Sequence, residues 1–117
     1  MVDDDESFAR AIGRLLRAAG FGAVVYPSAE AFLQDFKAQP VNCLVLDIHL
    51  GGMSGFDLRR HLTAEARNTP VIFITAHDEP DVREEARRSG CAGYFRKPVP
   101  GRLLVEAIVN AANLSQS

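Results

Sequence analysis

A chain of 117 residues, 47% hydrophobic and 24% charged, is long enough to bury a full core as one domain without disulfide or metal staples. Its formal net charge of −2 argues against direct nucleic-acid binding, and no apolar run approaches membrane-spanning length. Cys43 and Cys91 lack metal-ligand spacing, and the N-terminus opens on acids rather than on a signal peptide. A cytoplasmic protein with no membrane partner is the expectation, with residues 1–117 forming one domain.

In chain order, Met1-Val2 precedes four acids, Asp3, Asp4, Asp5 and Glu6. Phe8, Ile12, Leu15, Leu16 and Ala19 then recur at helical spacing, with Asp5 or Ser7 as cap and Gly20 as stop. Ala23–Tyr26 reads as a short strand ended by Pro27, and Ser28 caps a second helix with Ala29, Phe32, Leu33 and Phe36 inward and Pro40 beyond it. Cys43-Leu44-Val45-Leu46-Asp47 is a short apolar run ending in one carboxylate, the pattern of a strand buried on both faces. Gly55 to about Arg67 reads as a third helix, with Phe56, Leu58 and Leu62 inward. After Pro70 comes a second fully apolar strand, Val71–Thr75. Pro80-Asp81 opens a fourth helix whose one large apolar residue is Val82, and Gly90 ends it. Ala92–Phe95 is a short strand leading into Arg96-Lys97-Pro98. Pro100 to about Leu114 is the last helix, apolar at Leu103, Leu104, Ala107, Ile108 and Ala111, with Ser115-Gln116-Ser117 frayed.

Strands alternating with helices predict an α/β fold with a mostly parallel, doubly covered sheet, in which ligands bind beyond the carboxyl ends of the strands. The polar residues at those ends are Asp3 and Asp4, Asp47, Thr75 and Lys97. A strand-ending aspartate is ordinarily a turn or cap residue, and Asp3–Glu6 could serve simply to favour the first helix dipole. Neither reading explains why four of five strands deliver a polar group to one rim. Three carboxylates there repel, by about 3 kcal/mol per pair of charges ~5 Å apart at an effective dielectric of ~20. A hard, oxygen-seeking divalent ion, Mg²⁺ above all, would relieve this. A metal alone does not call for a hydroxyl and an ammonium opposite it; a phosphoryl group on Asp47 would use all three.

These residues carry a resemblance. Val2-Asp3-Asp4-Asp5, the Leu44–Asp47 strand, Met53-Ser54-Gly55, Thr75-Ala76 and Lys97-Pro98, in this order and spacing, resemble the receiver domain of two-component response regulators over essentially the whole chain. Tyr26-Pro27-Ser28-Ala29-Glu30-Ala31-Phe32-Leu33 is similar to receivers of the nitrogen-fixation regulators. The resemblance implies a flavodoxin-like (βα)5 fold with strand order 2-1-3-4-5. It implies Asp47 as phosphoacceptor from a sensor histidine kinase, Asp4 and Asp47 as direct Mg²⁺ carboxylates, Asp3 acting mainly through water and His49 through its backbone carbonyl. Thr75 and Lys97 would bind phosphoryl oxygens, Tyr94 would be the switch aromatic that swings inward as Thr75 moves, and the Lys97–Pro98 bond would be cis. His49 and His77, two positions beyond Asp47 and Thr75, stand where receivers influence the hydrolytic water, or are plain loop residues; His61 reads as a solvated helix residue.

Three departures qualify this reading. Gly51 stands where many receivers have proline, which implies a more mobile loop. The fourth helix is poor in apolar residues, which favours a pliable signalling face. The first strand retains Met1 and Val2 where about five residues are usual, so neighbouring edges should be left unpaired, as from a trimmed chain or a misplaced start, unless a neighbouring molecule lends a strand. The competing functions are a Mg²⁺-dependent phosphatase of the haloacid-dehalogenase type, which would want a second carboxylate at position 49, and a flavin-binding module, whose phosphate Asp3–Asp5 would repel. A degenerate receiver acting only as an interaction module is a further alternative. The face formed by the fourth helix, fifth strand and fifth helix, with Arg83, Arg87, Arg96 and Arg102, is a candidate homodimer or effector contact, or else a solvated basic face.

Overall fold

The computed structural model describes residues 1–35, 42–50, 53–62 and 69–115. The expectations for Phe36, Pro40, Gly51, residues 63–67 and the two final residues lie outside these. The described elements are α1 (Glu6–Ala18), α2 (Ala29–Asp35), β1 (Leu44–Asp47), α3 (Gly55–Leu62), β2 (Val71–Thr75), α4 (Pro80–Arg88), β3 (Gly93–Arg96) and α5 (Gly101–Ser115). β1 pairs in parallel with β2, Leu44 opposite Val71, and β2 pairs in parallel with β3, Ile72 opposite Gly93.

The continuous apolar runs of β1 and β2 follow from helices on both faces of the sheet. Successive strand side chains alternate between two cores. Leu44, Leu46, Val71 and Phe73 pack with residues of α2, α3 and α4, and Val45, Ile72 and Ile74 pack with Ile12, Leu16, Leu104 and Ile108 of α1 and α5. Phe73 meets Phe56 edge to face, ring centres 4.8 Å apart. Asp5 caps α1, accepting from the Phe8 N–H at 3.1 Å, and Gly20 and Gly90 take positive φ beyond α1 and α4.

The first strand is the main departure from expectation. Its residue Val2 bridges to Tyr26 on one side and Leu46 on the other, so order 2-1-3-4-5 is sketched by backbone contacts with its first two positions short of regular strands. The Val2 N–H donates to the Val45 carbonyl at 2.8 Å, the Asp47 N–H to the Val2 carbonyl at 3.0 Å and the Asp3 N–H to the Tyr26 carbonyl at 3.1 Å. Three residues therefore hold both neighbours next to the site, where unpaired edges were expected. Ala23–Tyr26 accordingly forms no strand, because its partner is too short to extend the ladder. Met1, Ala23, Val24, Cys43 and Leu44 are among the residues lining a cavity of about 190 Å³.

The helical stripes also need adjustment. On α1 the buried positions are Ala9, Ile12, Gly13 and Leu16, while Leu15 is 44% exposed and Ala19 lies outside the helix, at the surface. On α5 Leu104, Ile108, Ala111 and Ala112 are buried, and Leu103 is 46% exposed. The two helices approach closely where Gly101 faces Leu15, a Cβ added at Gly101 falling 2.5 Å from the Leu15 Cδ1. α4 buries Ala86 alone, as its composition predicts.

Gly55 starts α3 directly against the backbone that follows β1. A Cβ added there would lie 2.5 Å from the Asp47 carbonyl oxygen and 3.0 Å from the Ile48 Cα. Alanine favours a helix over glycine by about 1 kcal/mol, but backbone cannot yield to such an overlap as a flexible side chain can. Gly55→Ala should therefore destabilise, by about 1–3 kcal/mol, read as a lower midpoint in thermal unfolding; a raised midpoint would contradict the packing described.

Candidate functional site

Four chain segments meet at the carboxyl rim of the sheet. β1 ends at Asp47, whose carboxylate is 4% exposed by residue and accepts the His49 backbone N–H on Oδ1 at 3.0 Å. Asp3, fixed by the Val2 bridges, is buried and accepts the Asp5 N–H on Oδ1 at 2.9 Å. Lys97 follows β3 after a backbone hydrogen bond from its N–H to the Thr75 carbonyl, 2.7 Å, and its peptide bond to Pro98 is cis. Its ammonium lies 2.8 Å from Asp3 Oδ2 and donates to Asp47 Oδ2 at 3.0 Å. Asp4 is exposed, but its carboxylate joins those of Asp3 and Asp47 in a group whose ligand oxygens all lie within 4.8 Å of one another.

Lys97 carries one positive charge against three carboxylates. Burial pushes the Asp3 carboxyl up to about 6; Lys97 and the Asp5 N–H pull the other way, and Asp47 adds to the rise. Burial alone would lower the Lys97 ammonium, but its pairing with the Asp3 and Asp47 carboxylates outweighs that and raises it. Asp3 Oδ2, although close to Lys97, accepts no hydrogen bond. Surplus negative charge, oxygen donors and an unsatisfied buried carboxylate oxygen make this group fit a hard divalent cation such as Mg²⁺.

Thr75 is fully buried, with its hydroxyl turned to its own loop: it accepts the His77 N–H at 3.0 Å and donates to the His77 carbonyl at 3.1 Å. Tyr94 is half-buried against the α2–α4 core, and its hydroxyl donates to Asp78 Oδ1 at 2.9 Å. That bond and burial push the phenol up to about 12, burial first. Arg83 grips the same carboxylate with two hydrogen bonds of 3.1 and 3.0 Å. Arg87 is likewise paired, with Glu84, while Arg96 and Arg102 are exposed. The expected basic face is thus half neutralised by acids on or beside its own helix.

Asp3, Asp4, Asp47 and Lys97 come together as the resemblance implied, and Thr75 ends the adjoining strand with its hydroxyl bonded to the His77 backbone. Two participants have no sequence signal. The Phe8 ring, read as a plain core position of α1, lies 4.9 Å from the Lys97 ammonium, a cation–π contact. Asp78 falls in a loop and becomes notable only when folding brings Tyr94 and Arg83 to it.

The family model of the response regulator receiver domain matches residues 1–109. The chain belongs to that family. This receiver is 34% identical over 115 residues to the response regulator protein TmoT of Ectopseudomonas mendocina, covering 98% of this chain and 52% of that protein. It is 33% identical to the transcriptional regulatory protein FixJ of Rhizobium meliloti, covering 96% and 55%. The receiver spans about half the length of these curated relatives. A solved response regulator receiver protein from Burkholderia phymatum superposes with a TM-score of 0.82 at 40% identity, covering 96% of this chain and 91% of that one. A CheY-like receiver from Methanospirillum hungatei shares the fold, TM-score 0.90 at 23% identity, covering 98% and 92%. The flavodoxin-like fold and a receiver's place in two-component signalling are thereby established, and no described helix is long and apolar enough to cross a membrane.

Replacing Lys97 removes the one counter-charge of two buried carboxylates. Lys97→Met in metal-free protein should lower stability by about 3 kcal/mol in denaturant unfolding, and Mg²⁺ should restore more stability to the variant than to the parent. Equal stability of the two metal-free proteins would contradict the triad.

Proposed function

We propose that Asp47 accepts a phosphoryl group from a sensor histidine kinase and that this receiver reports its phosphorylation by shape to an output domain or partner. The observation that carries the reading is the Lys97 ammonium shared between Asp47 and Asp3 beside a third carboxylate, with the Thr75 hydroxyl on the adjoining strand end. An Asp47 oxygen would attack phosphorus as the P–N bond to the kinase imidazole breaks, the electron pair leaving with that nitrogen. Asp4 and Asp47 would hold Mg²⁺ directly, Asp3 through water and His49 through its carbonyl; the ion would neutralise charge on the transferring phosphoryl oxygens.

Lys97 lies 3.0 Å from Asp47 already, so it can follow the new phosphoryl oxygens with little rearrangement. Thr75 must exchange two hydrogen bonds to His77 for one to the phosphoryl group. Moving it draws on the loop 75–79, whose Asp78 holds the Tyr94 hydroxyl, and that bond links the loop to β3. Tyr94 is accordingly the switch aromatic in this reading, and the α4–β3–α5 face, with its exposed Leu103, is the surface that changes and where a second copy or an effector would bind. The complete set of Asp4, Asp47, Thr75 and Lys97 favours an active over a degenerate receiver. The dehalogenase-type phosphatase reading has no support at position 49, where the acid it needs is replaced by an exposed histidine.

Incubation with acetyl phosphate and Mg²⁺ should add one phosphoryl group by intact-mass measurement, and the adduct should be absent from Asp47→Asn and from protein treated with a chelator. Thr75→Ala should still be phosphorylated while its Tyr94 fluorescence or amide shifts respond far less. An adduct that persists in Asp47→Asn would overturn the assignment.

A further inference from the structure

Beside the acidic cluster lies a second constellation that the phosphoacceptor chemistry does not use. The imidazoles of His49 and His77 are both exposed, with ring centres 5.2 Å apart and planes at 85°. Imidazole nitrogens bind zinc at about 2.1 Å, and tetrahedral angles then place two ring centres about 5 Å apart. The two rings meet edge to face, and their separation lets a turn of each side chain bring one nitrogen of each to a common ion.

Each histidine is anchored through its backbone rather than its ring. The His49 N–H is held by Asp47 Oδ1 at 3.0 Å, and the His77 N–H and carbonyl are both engaged by the Thr75 hydroxyl. The two loops bring the rings together from different strand ends, and the side chains remain available. Neutral nitrogen donors suit borderline divalent ions such as Zn²⁺, whereas the neighbouring carboxylates suit Mg²⁺.

We propose that His49 and His77 chelate a borderline transition-metal ion, with Zn²⁺ as the representative, at a site distinct from the acidic cluster. Water fills the remaining coordination positions. Such an ion ties the loop after β1 to the loop after β2 and holds His77 where it retains the Thr75 hydroxyl. This last consequence rests on the proposed role of Thr75; the binding itself does not.

Zn²⁺ titrated calorimetrically into the full chain in saturating Mg²⁺ should bind one ion per chain. Affinity should fall at least tenfold in His49→Ala and in His77→Ala alike, stay unchanged in His61→Ala, and persist in Asp47→Asn, which separates this site from the phosphoacceptor reading. Full-strength binding in either single histidine variant, or no saturable Zn²⁺ binding, would overturn the chelate.

Discussion

The constraint on which the structure depends is the confinement of three carboxylates and one ammonium to the sheet rim. Lys97 lies within 3.0 Å of both Asp3 and Asp47, and both acids are nearly inaccessible. Removing such charges from water costs several kcal/mol each unless they are paired and hydrogen-bonded, so every surrounding element is committed to positioning them. Val2 bridges two neighbours to place Asp3, β1 delivers Asp47, the backbone bond to Thr75 seats Lys97, and Phe8 lies against the ammonium. Even so, the charges do not balance. That surplus leaves the rim short of positive charge, which a hard divalent cation would supply.

Around this fixed cluster sit parts that can move. The Thr75 hydroxyl is satisfied by its own loop, Tyr94 by Asp78, and α4 buries one alanine. Each of these interactions is exchangeable at small cost, because a hydrogen bond replaced by another is nearly neutral. Rigid charge placement and exchangeable polar contacts meet at one residue, Thr75, through its carbonyl to Lys97 and its hydroxyl to His77. A receiver needs this combination of a preorganised site and a surface that responds.

The buried strands and the residues at their ends were legible because burial on both faces leaves a continuous apolar run, and a polar residue closing such a run is conspicuous. Spacing alone could not say which apolar residues of α1 and α5 face inward. Leu15 and Leu103 fit a helical stripe and are nonetheless exposed; Leu15 lies beside Gly101 of α5 instead of under the sheet. The Ala23–Tyr26 strand failed because strand formation depends on a partner, and Met1–Asp3 is too short to provide one. Long-range polar pairs such as Tyr94 with Asp78 and Lys97 with Phe8 have no local pattern at all; they exist only once the chain is closed.

The most direct test of the central claim is a crystal structure with Mg²⁺ and beryllofluoride, a phosphoryl mimic. The account predicts the mimic on Asp47, the ion among Asp4, Asp47 and the His49 carbonyl, Lys97 Nζ and Thr75 Oγ1 on its fluorines, and Thr75 released from His77. A mimic bound elsewhere, or Thr75 still bonded to the His77 backbone with the mimic on Asp47, would contradict it.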